Sequence, residues 1–178
     1  EESGLLHFLQ FDANRSLVDY VYGIEAGLDS NARKNRSGTT MEKILNRNIV
    51  KVSKKLEIEH QSQATADFIK DNWGINIQVD KSARRFDEAV YCKANNSLWL
   101  IETNYYGGGG SKLKATAGEF IMLNDLISEP DKNINFVWVT DGRGWNTAKL
   151  PLLEAFGHIR HLFNLKMLKD GYLEEMFK

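Results

Sequence analysis

The chain has 178 residues, 42% of them hydrophobic and 26% charged, with a formal net charge of −1. That is enough for one sizeable core and short for two. It excludes a strongly basic nucleic-acid binder on bulk charge, and a lone Cys92 excludes an internal disulfide. A single cysteine fits a reducing compartment. No apolar run approaches the roughly 18 residues of a membrane span, and no charged-then-apolar leader signals secretion. The chain opens on Glu1, so part of a longer protein is expected.

Charge is unevenly spread. Residues 1–30 hold six acids and one base, while residues 31–60 hold eight Lys/Arg and three acids. A face that meets phosphates would need such a local excess.

In chain order, residues 16–28 place Leu17, Val18, Val21, Ile24 and Leu28 at helical spacing. "GLDSNARKNRSG" (27–38) is polar, framed by glycines, and reads as a loop. Residues 39–56 read as an amphipathic helix with Met41, Ile44, Leu45, Val52 and Leu56 as its stripe. A further helix is expected over 61–73. The period then changes. "INIQV" (75–79), "RFDEAVYCK" (85–93) and "SLWLIETNYY" (97–106) read as strands, with Asn95-Asn96 as a two-residue hairpin turn. Residues 111–128 are helical with Ser111 as candidate N-cap, 133–141 form a strand, and 147–163 a helix with Pro151 near its first turn. The expected class is a single mixed α/β domain, with residues 1–38 as N-terminal segment and 39–178 as core.

Counting outwards from Asn95-Asn96 pairs Ala89 with Glu102 and Asp87 with Asn104. Side chains two apart on a strand share a face, so Asp87, Glu102 and Asn104 gather on one side. Two neighbouring carboxylates repel unless something positive sits between them, and Mg²⁺ suits such hard oxygen ligands. On spacing alone, D-x14-E-x-N is a weak pattern, and two surface acids at strand ends are the preferred reading.

These residues resemble the PD-(D/E)xK nuclease superfamily, whose core order is α-β-β-β-α-β. More narrowly, "GLDSNARKNRSGTTME", "RRFDEAV", "IETNYYGGGGSKL" and "VTDGRGWNTAKLPLLEAF" are similar, in order, to blocks of the MboI/DpnII-type type II restriction endonucleases. The resemblance implies Mg²⁺-dependent cleavage of both strands of duplex DNA at GATC. It also implies a cytoplasmic bacterial or phage restriction system with a partner methyltransferase, and a homodimer acting on a palindrome. Asp87 and Glu102 become metal ligands, and Asn104 the group that positions water. Asn104 stands where the superfamily usually has lysine, and Phe86-Asp87 replaces Pro-Asp.

Other residues have bland readings beside functional ones. Glu42 is a possible extra metal-site acid, but Thr39-Thr40-Met41-Glu42 is also a capping box, and the structural role is preferred. Arg33, Lys34, Asn35 and Arg36 form a basic loop that suits base and phosphate contacts, or a solvated surface. Lys112 follows "GGGG" at a helix start, where free N–H groups favour a phosphate. Arg143 and Asn146 follow a strand end and could touch DNA, while Trp145 reads as packing. His7, His60, His158 and His161 show no metal-ligand pairing. A DNA-binding module with this fold and no cleavage is the alternative.

Overall fold

The computed structural model describes residues 30–128 and 133–178. The expected helix over 16–28 and His7 lie outside the described residues. The chain divides into two units between Arg36 and Ser37, and the unit from Ser37 onward is considered by itself below.

A five-stranded sheet runs in the order β1-β2-β3-β4-β5. Its strands are β1 (Glu59–Thr65), β2 (Arg85–Cys92), β3 (Ser97–Tyr105), β4 (Ile134–Asp141) and β5 (His161–Phe163). β1, β2 and β3 pair antiparallel, while β3, β4 and β5 pair parallel. Helices α1 (Ser30–Leu56), α2 (Ala66–Trp73), α3 (Ser111–Ile127), α4 (Lys149–His158), α5 (Leu165–Lys169) and α6 (Tyr172–Phe177) complete the described elements, with a 3₁₀ turn at Arg143–Thr147. No helix among the described residues is long and apolar enough to cross a membrane.

The sheet is covered on both faces. On one, Leu113, Ala117, Phe120, Leu123 and Ile127 of α3 are buried at the 3–4 spacing of a helical stripe. They join Ile69 of α2, Ala155 of α4, and Ala89, Leu98, Leu100, Phe136 and Trp138 of the strands. On the other, Met41, Leu45, Ile49 and Val52 of α1 meet Val90, Ile101, Val137 and Val139, with Leu168, Leu173 and Phe177 from α5 and α6. Strands buried on both faces need apolar residues without alternation, and "INFVWVTD" of β4 has them.

The structure corrects the expected elements in five places. First, α1 begins at Ser30, so Arg33, Lys34, Asn35 and Arg36 stand on helical backbone and not in a loop. Ala, Arg and Lys are good helix formers, and one glycine at position 38 costs only about 1 kcal/mol, too little to stop the helix. Second, residues 59–65 form the edge strand β1, where a helix over 61–73 was expected. The helix α2 starts only at Ala66, capped by the Thr65 hydroxyl, which accepts the Phe68 N–H at 3.2 Å. Third, residues 75–79 join no ladder. Ile75, Ile77 and Val79 do pack against the core, which explains their alternation, but β1 already occupies the edge beside β2.

Fourth, Ser111 is the first residue of α3, and Gly110 holds the cap position without a side-chain bond. Fifth, the expected helix over 147–163 ends at His158, and His161–Phe163 pairs with β4 as a fifth strand. Pro151 sits third in α4, within its first turn, where its missing N–H has no intrahelical partner to lose.

The hairpin also differs. Four residues, 93–96, make the turn, with Asn96 at φ 55°. Tyr91 pairs with Leu98, Ala89 with Leu100 and Glu88 with Ile101. This register is two residues away from the expected one. A slip of one residue would invert the faces of the strand, whereas a slip of two preserves them.

Candidate functional site

One more step along this ladder sets Asp87 opposite Glu102, where the expected register paired it with Asn104. The two acids sit at one end of the antiparallel pair, near the start of β2 and the end of β3. The β1 ladder skips a pair here: it runs through Ser62–Glu88 and Ala64–Phe86, and Gln63 between them adopts φ 52°. Positive φ is uncommon for a residue with a Cβ and marks local strain. The Gln63 amide donates to Asp87 Oδ1 at 3.3 Å, and the Thr103 backbone N–H donates to Asp87 Oδ2 at 2.8 Å.

Glu102 is 8% exposed. Burial, then the neighbouring Asp87 charge, push its carboxyl up to about 8. Burial also pushes Asp87 up to about 6, against the Thr103 N–H, with the Glu42 charge adding to the rise. Arg84 Nη1 donates to Glu102 Oε1 at 3.3 Å. That lone contact lowers Glu102 but does not offset burial and Asp87. Burial raises both carboxyls and the Asp87 charge adds to the rise at Glu102, so positive charge beside them favours their ionised forms.

Stability should report this. In the folded chain without divalent cation Glu102 keeps its proton up to about pH 8, and unfolded it loses it near its ordinary value of 4.5. Between those values the folded state binds more protons, so stability falls as pH rises. Asp87 acts in the same direction between 3.8 and about 6. The wild-type chain in chelator is therefore expected to lose stability from pH 5 to 8 relative to Glu102→Gln, by at least about 1 kcal/mol. Parallel pH profiles in thermal melts would refute this.

Asn104 follows two residues after Glu102 and pairs with Thr140 of β4. The Trp145 indole donates to Thr140 Oγ1 at 2.9 Å, and the Thr140 hydroxyl donates to Asn104 Oδ1 at 2.6 Å. An indole N–H can only donate, so the hydroxyl accepts there and keeps its own proton for Asn104 Oδ1. With that bond made, the amide oxygen turns to Thr140 and the NH₂ turns away. Trp145 is buried and packs edge-on against Tyr106 and Trp138, as expected of it, and it also begins this relay.

The segments after β3 and β4 lie against each other. Gly144 N–H donates to Tyr106 O at 2.8 Å. A Cβ on Gly142 (φ 119°) would stand 2.2 Å from Tyr106 O, so only glycine fits. This contact gathers Lys112, Arg143 and Asn146, all exposed, on the adjoining segments that follow the strand ends carrying Glu102 and Asn104.

Glu42 is exposed on α1. Because α1 begins at Ser30, Thr39 is interior to the helix and does not stand at an N-cap. Glu42 instead stands near enough to raise Asp87. Among the described residues no group of three His, Cys, Asp or Glu side chains is placed to hold an ion. His60 faces buried Glu88 at 3.5 Å and His161 stacks edge-on with Trp99, both structural settings.

Sequence reasoning missed Thr140 and Arg84. Thr140 carries no local signal. Arg84 has a faint one: Asp80 lies four residues before it, a spacing that allows an ion pair. The guanidinium binds Asp80 through Nε at 2.8 Å and Nη2 at 2.6 Å, and Glu119 of α3 at 2.9 Å.

Together these features define an α/β domain with two closely placed carboxyls, Glu102 buried and Asp87 half-buried, at the end of its central strands. Residues 1–175 match the model of the DpnII restriction endonuclease family. The chain is 62% identical over 177 residues to the type II restriction enzyme LlaDCHI of Lactococcus lactis subsp. cremoris, covering 99% of this chain and 58% of that protein. It is 50% identical to MjaIII of Methanocaldococcus jannaschii, over 99% of this chain and 61% of that enzyme. With DpnII of Streptococcus pneumoniae identity is 36%, over 99% and 62%. The chain belongs to the DpnII restriction endonuclease family. It spans about three fifths of the length of these relatives.

Proposed function

We propose that this chain carries the catalytic centre of a type II site-specific deoxyribonuclease of PD-(D/E)xK fold, cutting both strands of duplex DNA at GATC with Mg²⁺. The observation that carries the reading is the close placement of half-buried Asp87 and buried Glu102, where the Asp87 charge helps to raise Glu102 and a hard divalent cation would relieve that cost. Support for the fold comes from the order α1, β1, β2, β3, α3, β4, with α2 inserted after β1. The relatives named above are type II restriction enzymes, and this supports the reaction.

Asp87 and Glu102 would hold Mg²⁺, with Glu42 close by on α1. When bound there, the ion lowers the pKa of a coordinated water and offsets charge on the phosphoryl oxygens. A pair supplies few ligands, and Mg²⁺ tolerates this because it keeps waters and takes phosphate oxygens. The oxygen of water bonds to phosphorus, the bond to the 3′ oxygen breaks, and a 3′-hydroxyl and a 5′-phosphate remain. The fixed orientation of Asn104 supports donation from its NH₂ to a phosphoryl oxygen. It cannot take a proton from water, because an amide NH₂ only donates. Lys112, Arg143 and Asn146 hold the backbone beside the glycine segments. Arg33, Lys34, Asn35 and Arg36 supply phosphate and base contacts from the first turns of α1. Symmetric cutting calls for a homodimer, and a methyltransferase of the same system protects the host's sites in the cytoplasm.

Incubation with plasmid DNA and Mg²⁺, with a chelator control, tests this. Cleavage confined to GATC, with 5′-phosphate ends on sequencing, is the expected result. Salt-dependent binding without cleavage would replace the reading by a DNA-binding module that has lost catalysis.

A further inference from the structure

Asn104 is a neutral amide, so any fixed positive charge at the site comes from elsewhere. We propose that Arg84 supplies it: the guanidinium is the resident counter-ion of the carboxylate pair, and it stays beside the pair when a divalent cation binds. The inference rests on the reading of Asp87 and Glu102 as a metal site.

Arg84 directly precedes β2, and its side chain is 11% exposed. Nε and Nη2 fork onto Asp80 at 2.8 and 2.6 Å, and Nη2 also reaches Glu119 at 2.9 Å. Nη1 touches Glu102 Oε1 at 3.3 Å, the longest of the four contacts. Lys81 lies beside the same acids, 3.5 Å from Asp80 and 3.1 Å from Glu119, but is largely exposed. The head is therefore anchored by two acids outside the pair, and losing the Glu102 contact to an incoming ion would not release it. An arginine keeps its charge at any working pH, and its planar fork is held in one orientation by paired contacts. Such a group is preorganised, which a lysine beyond four glycines is not.

The charge has two consequences of opposite sign. A guanidinium against Glu102 opposes a dication entering the pair, so it weakens cation binding. Once DNA is bound, the same charge faces negative charge that grows on the phosphoryl group, and it speeds cleavage. A mere brace tying residues 80–84 to α3 and β3 would behave differently. Its loss would loosen the site and weaken both.

The test is calorimetric titration of the DNA-free chain with Ca²⁺ and with Mg²⁺, alongside single-turnover cleavage at saturating Mg²⁺. Arg84→Gln keeps the length and a donor but removes the charge. It is expected to bind either cation about 3-fold tighter or more, and to cleave on the order of 10²-fold more slowly. Arg84→Lys, which keeps the charge, is expected to bind cations within about 2-fold of wild type. Weaker or unchanged cation affinity in Arg84→Gln overturns the proposal. If that variant does not fold, affinity in Arg84→Lys that departs from wild type by 3-fold or more overturns it instead. A wild-type chain that binds neither cation removes the metal-pair reading, and this inference falls with it. A wild-type chain that binds both, with Arg84→Gln indistinguishable, removes the inference alone.

Discussion

Glu102→Gln is expected to abolish DNA cleavage while raising the thermal stability of the cation-free chain. The two effects have one cause. Glu102 is buried beside Asp87, and burial and that neighbour push its proton affinity up to about 8. A neutral amide removes the cost of ionising a buried acid, so the folded state without metal gains. The same amide removes a negative ligand from the pair, so the cation that the reaction needs is lost. Asp87→Asn should act likewise, since an asparagine oxygen can still accept the Thr103 N–H that Asp87 now holds at 2.8 Å. DNA affinity should not fall in either variant, because less negative charge beside phosphates strengthens attraction. Single-turnover cleavage, equilibrium DNA binding and thermal melts in chelator measure the three effects. Full cleavage by either variant would end the assignment of the pair.

The relay behind Asn104 carries the second large effect. Asn104→Ala removes the donor itself, and Thr140→Val leaves it in place but takes away the hydroxyl that fixes its orientation. Both are expected to slow the chemical step on the order of 10²-fold, as loss of one aimed donor typically does, with DNA affinity little changed. Thr140→Ser keeps the hydroxyl and should restore most of the rate. Trp145→Phe removes only the indole donor to Thr140, which lies at 2.9 Å. The threonine hydroxyl then turns more freely, so a smaller loss is expected. A Thr140→Val variant that cleaves at the wild-type rate, beside a slow Asn104→Ala, would show that Asn104 works without the relay. A fall in DNA affinity that matches the fall in rate would show a binding role instead.

What the sequence by itself determined is local. The apolar runs of β2, β3 and β4, and the stripe of α3, are continuous patterns within single segments, and each stands within about one residue of its expected place. The gathering of Asp87 and Glu102 was legible for a similar reason. Face parity along a strand survives an error of two residues in register, and the hairpin erred by two. Tertiary structure decided the rest. "EHQSQAT" has little apolar alternation, and it is a strand because β2 offers a free edge, which no local propensity encodes. "INIQV" alternates because it covers the core, and it is not a strand because that edge was already filled. The relay from Trp145 through Thr140 to Asn104 joins residues 36 positions apart across a parallel crossover. Arg84 reaches Glu102 and Glu119 only because three segments converge on it. Such contacts follow from pairing and chain crossover, whose long-range partners a reading of neighbouring residues does not contain.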